Sequence, residues 1–332
     1  MHPFSTELLD KVMTEAFRIS TAPMMEWSDR HCRAFWRVLT QQSLMYTEMV
    51  TANAVIHGHR EYLIGYNDVE HPIALQLGGS DPKQLAEAAA IAQDYGYDEV
   101  NLNCGCPSDR VKSGFFGACL MAEPDLVSRC MEAVTKRVDI KATVKNRIGI
   151  DDQEDYPSLL NFVDTVSRGG VNHFIVHARK AWLNGLSPKE NREIPPLRYE
   201  LVYQLKQDRP DLEIVINGGF TSYEQIDEAL QHVNGVMLGR VAYQTPWFLS
   251  EIDSRYFGAD RPQSNRKDAL RAYYPYIESQ LSEGAKLNYM TRHIIGLFNA
   301  QPGGKQFRRH ISENAYKPSA GIEVLDAALA YV

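Results

Sequence analysis

Eight short segments rich in β-branched and aromatic residues recur along the first 240 residues, and these most constrain the fold. They are predicted as the strands Arg18–Ala22, Leu44–Met49, Ile73–Leu77, Glu99–Leu102, Ile140–Val144, His173–Val176, Glu213–Ile216 and Gly235–Leu238. Amphipathic segments such as Asp81–Asp94 and Pro157–Ser167 lie between them, as is typical of parallel βα units. Eight such units close most naturally as a (β/α)8 TIM barrel, with an open doubly wound sheet as the alternative.

After Gly258 the sequence pattern becomes purely helical. The apolar spacing predicts helices over Ser264–Glu283, Leu287–Ala300 and Gly321–Tyr331, with glycine-containing breaks between them. Residues 260–332 hold ten Lys and Arg against seven Asp and Glu, so this region is mildly basic whereas the whole chain has a net charge of −7. We therefore expect a barrel domain over residues 1–258 and a small C-terminal helical domain over residues 259–332.

Composition excludes several classes of protein. With 44% hydrophobic and 23% charged residues, the chain is neither disordered nor fibrous. The acidic balance argues against a protein that coats nucleic acid over its whole surface, but it permits a local basic patch. Five cysteines disfavour a disulfide framework, and neither a signal peptide nor a membrane span is visible. These features predict a cytoplasmic protein without membrane association.

Polar or glycine residues follow each of the predicted strands, at the end of the barrel where such enzymes carry their active sites. In chain order they are Pro23-Met24-Met25, Glu48, Gln76, Asn103 with Cys106, Lys145, His177, Asn217-Gly218-Gly219 and Gly239-Arg240. Together they predict a lined pocket. The glycines after the last two strands let the backbone approach an anion, so a phosphate-bearing cofactor or substrate is predicted, with ordinary glycine turns as the alternative.

The residue types at three of these positions suggest chemistry. Lys145 ends an otherwise apolar strand, where it fits a snorkelling side chain, a positive charge beside a flavin ring, or a Schiff-base amine. His177 fits a core histidine as well as a ligand-binding one. The Gln76 amide offers a donor and an acceptor suited to the imide edge of a flavin.

Cys106 follows the fourth predicted strand in a turn held by Gly105 and Pro107. Cys104 and Cys106 form a C-x-C pair with no second cysteine pair or histidine cluster nearby, so no metal site is predicted. A buried structural thiol is the alternative. Because a cysteine thiol is mostly protonated at neutral pH, Cys106 is also a candidate general acid.

The sequence resembles the tRNA-dihydrouridine synthases in segments that span the whole barrel. They are Ala22–Asp29 (APMMEWSD), Gln76–Gly79 (QLGG), Asn101–Ser108 (NLNCGCPS), Val144–Arg147 (VKNR), Val176–Arg179 (VHAR), Asn217–Gly219 (NGG) and Val236–Arg240 (VMLGR). The loop Leu186–Arg198 resembles that of the A-type subfamily, which modifies uridines 20 and 20a of the tRNA D-loop.

The resemblance implies an FMN-bearing TIM barrel followed by a helical tRNA-binding domain, with NADPH as the electron donor and the tRNA D-loop as the partner. It implies that FMN is held by Pro23, Met24, Met25, Gln76, Lys145, His177, Asn217, Gly218, Gly219, Gly239 and Arg240. Cys106 would be the proton donor, Asn103 and Arg147 would contact the target uracil, and tRNA would contact Lys189, Arg192, Lys305 and Arg308. A monomer without a protein partner is expected.

Three other functions remain open from the residues alone. A flavin barrel that reduces a small molecule, such as a dihydroorotate dehydrogenase-like enzyme, would not need the basic C-terminal region. A lyase would use Lys145 as a Schiff-base nucleophile. A tRNA-binding protein with a vestigial pocket would bind tRNA without consuming NADPH.

Overall fold

Nine parallel strands form the sheet in the computed structural model, which describes residues 17–108, 111, 114–153 and 155–332. In chain order they are β1 (Ile19–Thr21), β2 (Leu44–Tyr46), β3 (Val50–Thr51), β4 (Ile73–Gly78), β5 (Glu99–Cys104), β6 (Lys141–Arg147), β7 (His173–His177), β8 (Glu213–Asn217) and β9 (Gly235–Leu238). Their order is β2-β1-β9-β8-β7-β6-β5-β4, and pairing of β2 with β4 closes the ring. The predicted eight-stranded TIM barrel is confirmed, and β3 is an additional short strand on the end of β4.

Helices connect the barrel strands, and further helices follow β9. They are α1 (Arg30–Leu39), α2 (Ala52–His57), α3 (Arg60–Ile64), α4 (Pro82–Tyr95), α5 (Pro124–Thr135), α6 (Asp155–Ser167), α7 (Tyr199–Asp208), α8 (Tyr223–Ala229), α9 (Arg240–Gln244), α10 (Ile252–Tyr256), α11 (Arg266–Ala272), α12 (Tyr274–Ser282), α13 (Leu287–Thr291), α14 (Gly304–Asn314) and α15 (Ile322–Leu329). Short 3-10 turns occupy Asp68–Glu70, Gly117–Ala122, Glu190–Arg192 and Pro246–Glu251. No helix among these described residues combines the length and the apolar composition that crossing a bilayer requires.

Local sequence explains where the helices begin and end. The side chain of Asp81 caps α4 by accepting a hydrogen bond from the Gln84 amide at 2.9 Å, Pro82 fits its first turn, and Gly96 ends it with a φ of 96°. The predicted stripe of this helix, which includes Leu85 and Ala89, is buried. Local sequence signals therefore determine where the helices that connect the strands begin and end.

Two predicted C-terminal helices are shorter than expected. The stretch Ser264–Glu283 divides into α11 and α12, because Pro275 lacks the N–H that a continuous helix would need. The stretch Leu287–Ala300 is helical only as far as Thr291. Beyond it, Gly296 approaches the carbonyl oxygen of Gln244 so closely that an added Cβ would lie 2.4 Å from it, and turns replace the helix.

The barrel unit comprises the described residues of 17–24, 44–66 and 71–239. Its interior contains an apolar cluster with side chains from several strands. The members are Phe17, Ala22, Leu44, Tyr46, Ala74, Ile175, Val215 and Met237, with Met24 packed against them. A filled barrel of this kind is a rigid core that fixes the positions of the strand ends.

The helical unit comprises residues 25–43, 67–70 and 240–332. Its early segments are joined to one another by a buried ion pair of 2.7 Å between Arg33 and Glu70. They are joined to the C-terminal helices by Asp253, which accepts hydrogen bonds from the Thr40 hydroxyl at 2.5 Å and the Gln41 amide at 2.6 Å. These contacts explain why the compact units do not follow chain order. The functional division expected at residue 258 is a separate matter and stays a prediction.

Candidate active site

The carboxyl ends of four neighbouring strands bring five of the predicted site residues into register. Asn103 on β5 lies opposite Lys145 on β6, and Arg147 lies opposite His177 on β7. His177 in turn lies opposite Asn217 on β8. Since all these strands are parallel, their polar ends form one continuous surface at the open end of the barrel.

The Cys106 turn is held by a hydrogen-bonded amide pair. The Asn103 Oδ1 accepts hydrogen bonds from the backbone N–H of Gly105 at 3.0 Å and of Cys106 at 2.9 Å. Asn103 Nδ2 donates to Gln76 Oε1 at 2.8 Å. The half-buried Cys106 thiol itself lies 3.6 Å from the Ser108 hydroxyl. A thiol on a turn fixed this way has a defined position relative to the strand ends.

Arg147 is buried and joins the loops after β5 and β7 through three backbone carbonyls. Its Nε donates to Gly105 O at 2.8 Å, and its Nη1 donates to Lys180 O at 3.1 Å and Asn191 O at 3.0 Å. Burial lowers the pKa of this guanidinium to about 10, so it remains charged at neutral pH. The residue thus combines a structural role in the Cys106 turn with a positive charge in the pocket.

Lys145 is held mainly by a neutral partner. Its Nζ donates to Asn217 Oδ1 at 3.0 Å, and Asn217 Nδ2 donates to the backbone oxygen of Met237 at 2.8 Å. Although water reaches part of Lys145, burial and the nearby Arg147 lower its pKa to about 7. Among the described residues, an ammonium in this position therefore lacks the carboxylate that usually accompanies a buried lysine.

His177 presents a buried nitrogen without a hydrogen-bond partner among the described residues, its Nε2. Burial lowers its pKa well below the ordinary value, with Arg147, Lys145, Arg179 and Arg192 lowering it further. The four main charged neighbours of His177 are therefore all cationic. Because buried polar atoms in folded proteins are normally paired, the free Nε2 favours a ligand at this position.

The glycines after β8 require a backbone conformation that other residues rarely adopt, and their predicted approach to an anion stays a prediction. Gly218 and Gly219 have φ values of 124° and 77°, and a Cβ on Gly218 would lie 2.8 Å from His177 Cδ2. At Gly239, by contrast, the nearest atom to an added Cβ is Ala22 Cβ at 4.0 Å, so open space lies beside the backbone. Accessible backbone in a cationic environment fits an anionic ligand.

Not all of the predicted residues lie in the barrel unit. Pro23 and Met24 follow β1 there, whereas Met25 and Arg240 belong to the helical unit, as do Lys305 and Arg308 on α14. Lys189 and Arg192 are exposed on the loop after β7. Arg308 is half-buried and donates to Asn299 Oδ1 at 2.9 Å, whereas Lys305 is exposed.

Sequence reasoning missed a cavity of about 600 Å3 in the helical unit. Trp27 and Tyr243 stack on its wall with ring centroids 4.4 Å apart, and Asn288 and Arg292 add polar groups. The lining residues come from separate parts of the chain, so no local motif could have predicted this cavity. Its lining includes none of the candidate residues of the barrel unit.

Comparisons with known proteins agree on one family. The model of the dihydrouridine synthase family matches residues 20–331. A tRNA-dihydrouridine(20/20a) synthase of Vibrio parahaemolyticus is 57% identical over 321 residues, which cover 96% of this chain and 98% of the relative. The similarly named proteins of Xanthomonas axonopodis pv. citri and Salmonella typhimurium are 56% and 57% identical, over 95% and 96% of this chain and 93% and 96% of their own lengths.

Proposed function

Because this chain belongs to the dihydrouridine synthase family, we propose that it reduces uridines 20 and 20a of the tRNA D-loop to 5,6-dihydrouridine, with FMN bound in the barrel and NADPH as the electron donor. The positions come from the names of relatives that match almost the whole chain. The observation that carries the cofactor is the cationic open end of the barrel, where Lys145 lacks a carboxylate and His177 Nε2 lacks a partner among the described residues.

FMN fits this end of the barrel for reasons of charge and shape. The backbone beside Gly239 is open, and Gly218 and Gly219 have positive φ values that glycine adopts without strain. Lys145 would place its positive charge beside the ring, and Gln76 would orient it through its remaining amide hydrogen. When bound, the reduced flavin supplies the hydride that adds to C6 of uracil.

Cys106 would complete the reduction by donating its thiol proton to C5, and solvent would return a proton to the resulting thiolate. Asn103 fixes the turn that carries the thiol, through its bonds to Gly105 and Cys106. Arg147 would face the uracil with its Nη2, since its other donors hold backbone carbonyls. A stacked uridine cannot reach such a pocket, so it must be extruded from the tRNA.

The test is the visible spectrum of the purified protein during an anaerobic cycle. A yellow protein should bleach with NADPH and regain its colour when unmodified tRNA is added. A matched transcript with cytidine at positions 20 and 20a should fail to restore the colour. A protein that stays colourless after FMN is offered would contradict the cofactor, and rapid reoxidation by free uridine or orotate would favour a small-molecule reductase.

The tRNA contacts proposed for the helical unit can be tested on adjacent arginines of α14. Arg309 is exposed and neutralised by Glu313 at 2.7 Å, whereas Arg308 contacts the neutral Asn299. We expect Arg308→Gln to weaken tRNA binding and to reduce its salt slope by about one, with unchanged flavin content. Arg309→Gln is the control, and an equal effect of both variants would show that Arg308 makes no specific contact.

A further inference from the structure

A row of hydrogen-bonded side chains runs through the interior of the barrel, from the amino-terminal end of β5 to the Cys106 turn. Glu99, Asn101 and Asn103 alternate along β5, so all three point into the barrel. All three are buried, with exposures of 0%, 1% and 8%. Alternation of polar residues inside a barrel is unusual, because the interior positions are normally apolar.

The lower part of the row is anchored on one carboxylate oxygen. Glu99 Oε1 accepts hydrogen bonds from the Tyr46 hydroxyl at 2.5 Å and the Thr143 hydroxyl at 2.6 Å. Thr143 Oγ1 in turn accepts from Asn101 Nδ2 at 2.8 Å. Burial and the neighbouring Glu99 raise the pKa of Tyr46 well above its ordinary value, so Tyr46 stays a donor.

The upper part continues in the same direction. Gln76 Nε2 donates to Asn101 Oδ1 at 2.8 Å, and Asn103 Nδ2 donates to Gln76 Oε1 at 2.8 Å. Asn103 Oδ1 then accepts from the Gly105 and Cys106 amides. In each hydrogen bond between these side chains, the donor therefore lies farther from Glu99 along the row than the acceptor. The last acceptor, Asn103 Oδ1, faces the Cys106 turn.

The direction of this row follows from the chemistry of its first member. An amide side chain can be turned over with little change of shape, so three amides in a row could run either way. Glu99 Oε1 accepts two hydroxyl protons, which obliges the Thr143 oxygen to accept from an amide N–H rather than donate to an amide oxygen. This requirement fixes the orientation of the Asn101 amide, which fixes that of the Gln76 amide and in turn that of the Asn103 amide.

We propose that Glu99 is a positioning residue for the reaction, because it sets the orientation of Asn103 and through it the Cys106 turn. The proposal rests on the function proposed above. It assigns a role at the open end to a residue at the amino-terminal end of the barrel, where side chains usually contribute to stability alone. Glu99 touches neither the turn nor the candidate ligand site; the row of side chains between them carries its effect.

The decisive variants are at Thr143, which among the described residues is the single link between Glu99 and the amides. Thr143→Val keeps the shape and removes the hydroxyl, whereas Thr143→Ser keeps the hydroxyl. We expect Thr143→Val to lower kcat for tRNA reduction about 10- to 100-fold, with FMN content and tRNA KM unchanged, since misplacement of a reacting group by about 1 Å can cost 10²-fold. Thr143→Ser should stay within about threefold of the parent protein. Equal rates in both variants would overturn the proposal.

A second readout does not require tRNA reduction. Iodoacetamide alkylation of Cys106, followed by peptide mass spectrometry, reports the freedom of the turn, and the buried Cys104 and Cys130 are internal references for unfolding. We expect at least fivefold faster alkylation of Cys106 in Thr143→Val and a parent-like rate in Thr143→Ser. An unchanged Cys106 rate would contradict the proposal even if the parent protein reduced no uridine.

Should Thr143→Val fail to fold, Glu99→Met provides the same test, because it keeps the approximate size of the side chain and removes the oxygen that accepts from Thr143 and Tyr46. We expect the same fall in kcat and the same faster alkylation of Cys106. Glu213→Met is the control, since Glu213 is a carboxylate of the same barrel that contacts Lys141 and His173 instead of the row. Parent-like kcat and alkylation in Glu99→Met would overturn the proposal.

Discussion

The barrel interior contains similar side chains at two levels, four residues apart, on three neighbouring strands. The lower level has Lys141, His173 and Glu213, and the upper level has Lys145, His177 and Asn217. At the lower level Glu213 contacts Lys141 at 2.6 Å and His173 at 3.2 Å. At the upper level an amide replaces the acid. Thus the protein itself neutralises the lower level, whereas no described acidic side chain is paired with Lys145 at the upper level.

The pKa values of the two levels differ accordingly. Burial alone would raise the pKa of Glu213, but hydrogen bonds from His173 and Lys141 outweigh it and lower this pKa to about 2. Lys141 also lies 3.7 Å from the centre of the Phe17 ring. For Lys145, burial and Arg147 lower the pKa to about 7. The comparison teaches that the same residue types form a structural plug when an acid is present and a candidate anion site when it is absent.

The largest expected effect concerns the proton donor at the open end. The substitution Cys106→Ala should lower the rate of dihydrouridine formation about 10²- to 10⁴-fold, because this is the usual effect of losing a general acid. FMN should remain bound. Product can be counted by mass spectrometry of digested tRNA, with flavin content read from absorbance.

Cys119→Ala is the matched control for this prediction. Cys119 is also half-buried in the barrel unit, but its thiol donates to the Phe116 carbonyl at 3.1 Å. Full activity in Cys106→Ala, or an equal loss in Cys119→Ala, would show that Cys106 is not the proton donor at the open end.

The lysines give the direct test of the comparison. Lys145→Met should weaken FMN binding about 10- to 100-fold and leave or raise the free energy of unfolding of the FMN-free protein, because a poorly compensated ammonium is removed. Lys141→Met should leave FMN binding unchanged and lower the free energy of unfolding by about 1–3 kcal/mol, because the Glu213 carboxylate loses its closest partner. Flavin fluorescence titration and urea unfolding measure the two quantities.

We expect each substitution to lower one quantity only. Lys145→Met should lower FMN affinity, and Lys141→Met should lower the free energy of unfolding. If both variants lost stability without losing FMN affinity, the upper level would be structural like the lower one. If both lost FMN affinity, the effect would reflect the net charge of the barrel rather than the position of a particular lysine.

How much of this could be predicted from the sequence depends on the range of the interactions. All eight barrel strands were predicted from local composition and spacing, and Gly235–Leu238 agrees to the residue. The residues at the carboxyl ends of β4 to β8 could be predicted as site residues, because the ends of parallel strands lie together in a barrel whatever their neighbours are. Their roles stay predictions, since a role depends on what binds.

The partners of those residues could not be predicted. The sequence Glu99-Val100-Asn101-Leu102-Asn103 alternates in the way expected of a strand with one solvated face, yet its polar side chains are buried as well as its apolar ones. Their partners Tyr46, Gln76 and Thr143 lie on other strands, and only the register brings them together. Helix α1 is a similar case, because its place in the helical unit depends on contacts such as the one from Arg33 to Glu70, 37 residues away.

The pH dependence of cofactor binding gives the smallest effect and the finest test of the upper level. In the FMN-free protein the pKa of Lys145 is about 7, and a bound anion would raise it by favouring the ammonium. Binding above pH 7 must then take up a proton, so FMN affinity should fall as pH rises above 7, by at most about tenfold per pH unit. Calorimetric titration in buffers of different ionisation enthalpy measures this uptake directly.

The lysine variants again decide the origin of that slope. The phosphate of FMN itself titrates near pH ~6, so a change of affinity below pH 7 would not identify Lys145. Above pH 7, Lys145→Met should abolish both the slope and the proton uptake, whereas Lys141→Met should retain both, because the ammonium of Lys141 is already balanced by Glu213. A slope that persists in Lys145→Met would place the titrating group elsewhere, and the neutral partner of Lys145 would then have no bearing on anion binding.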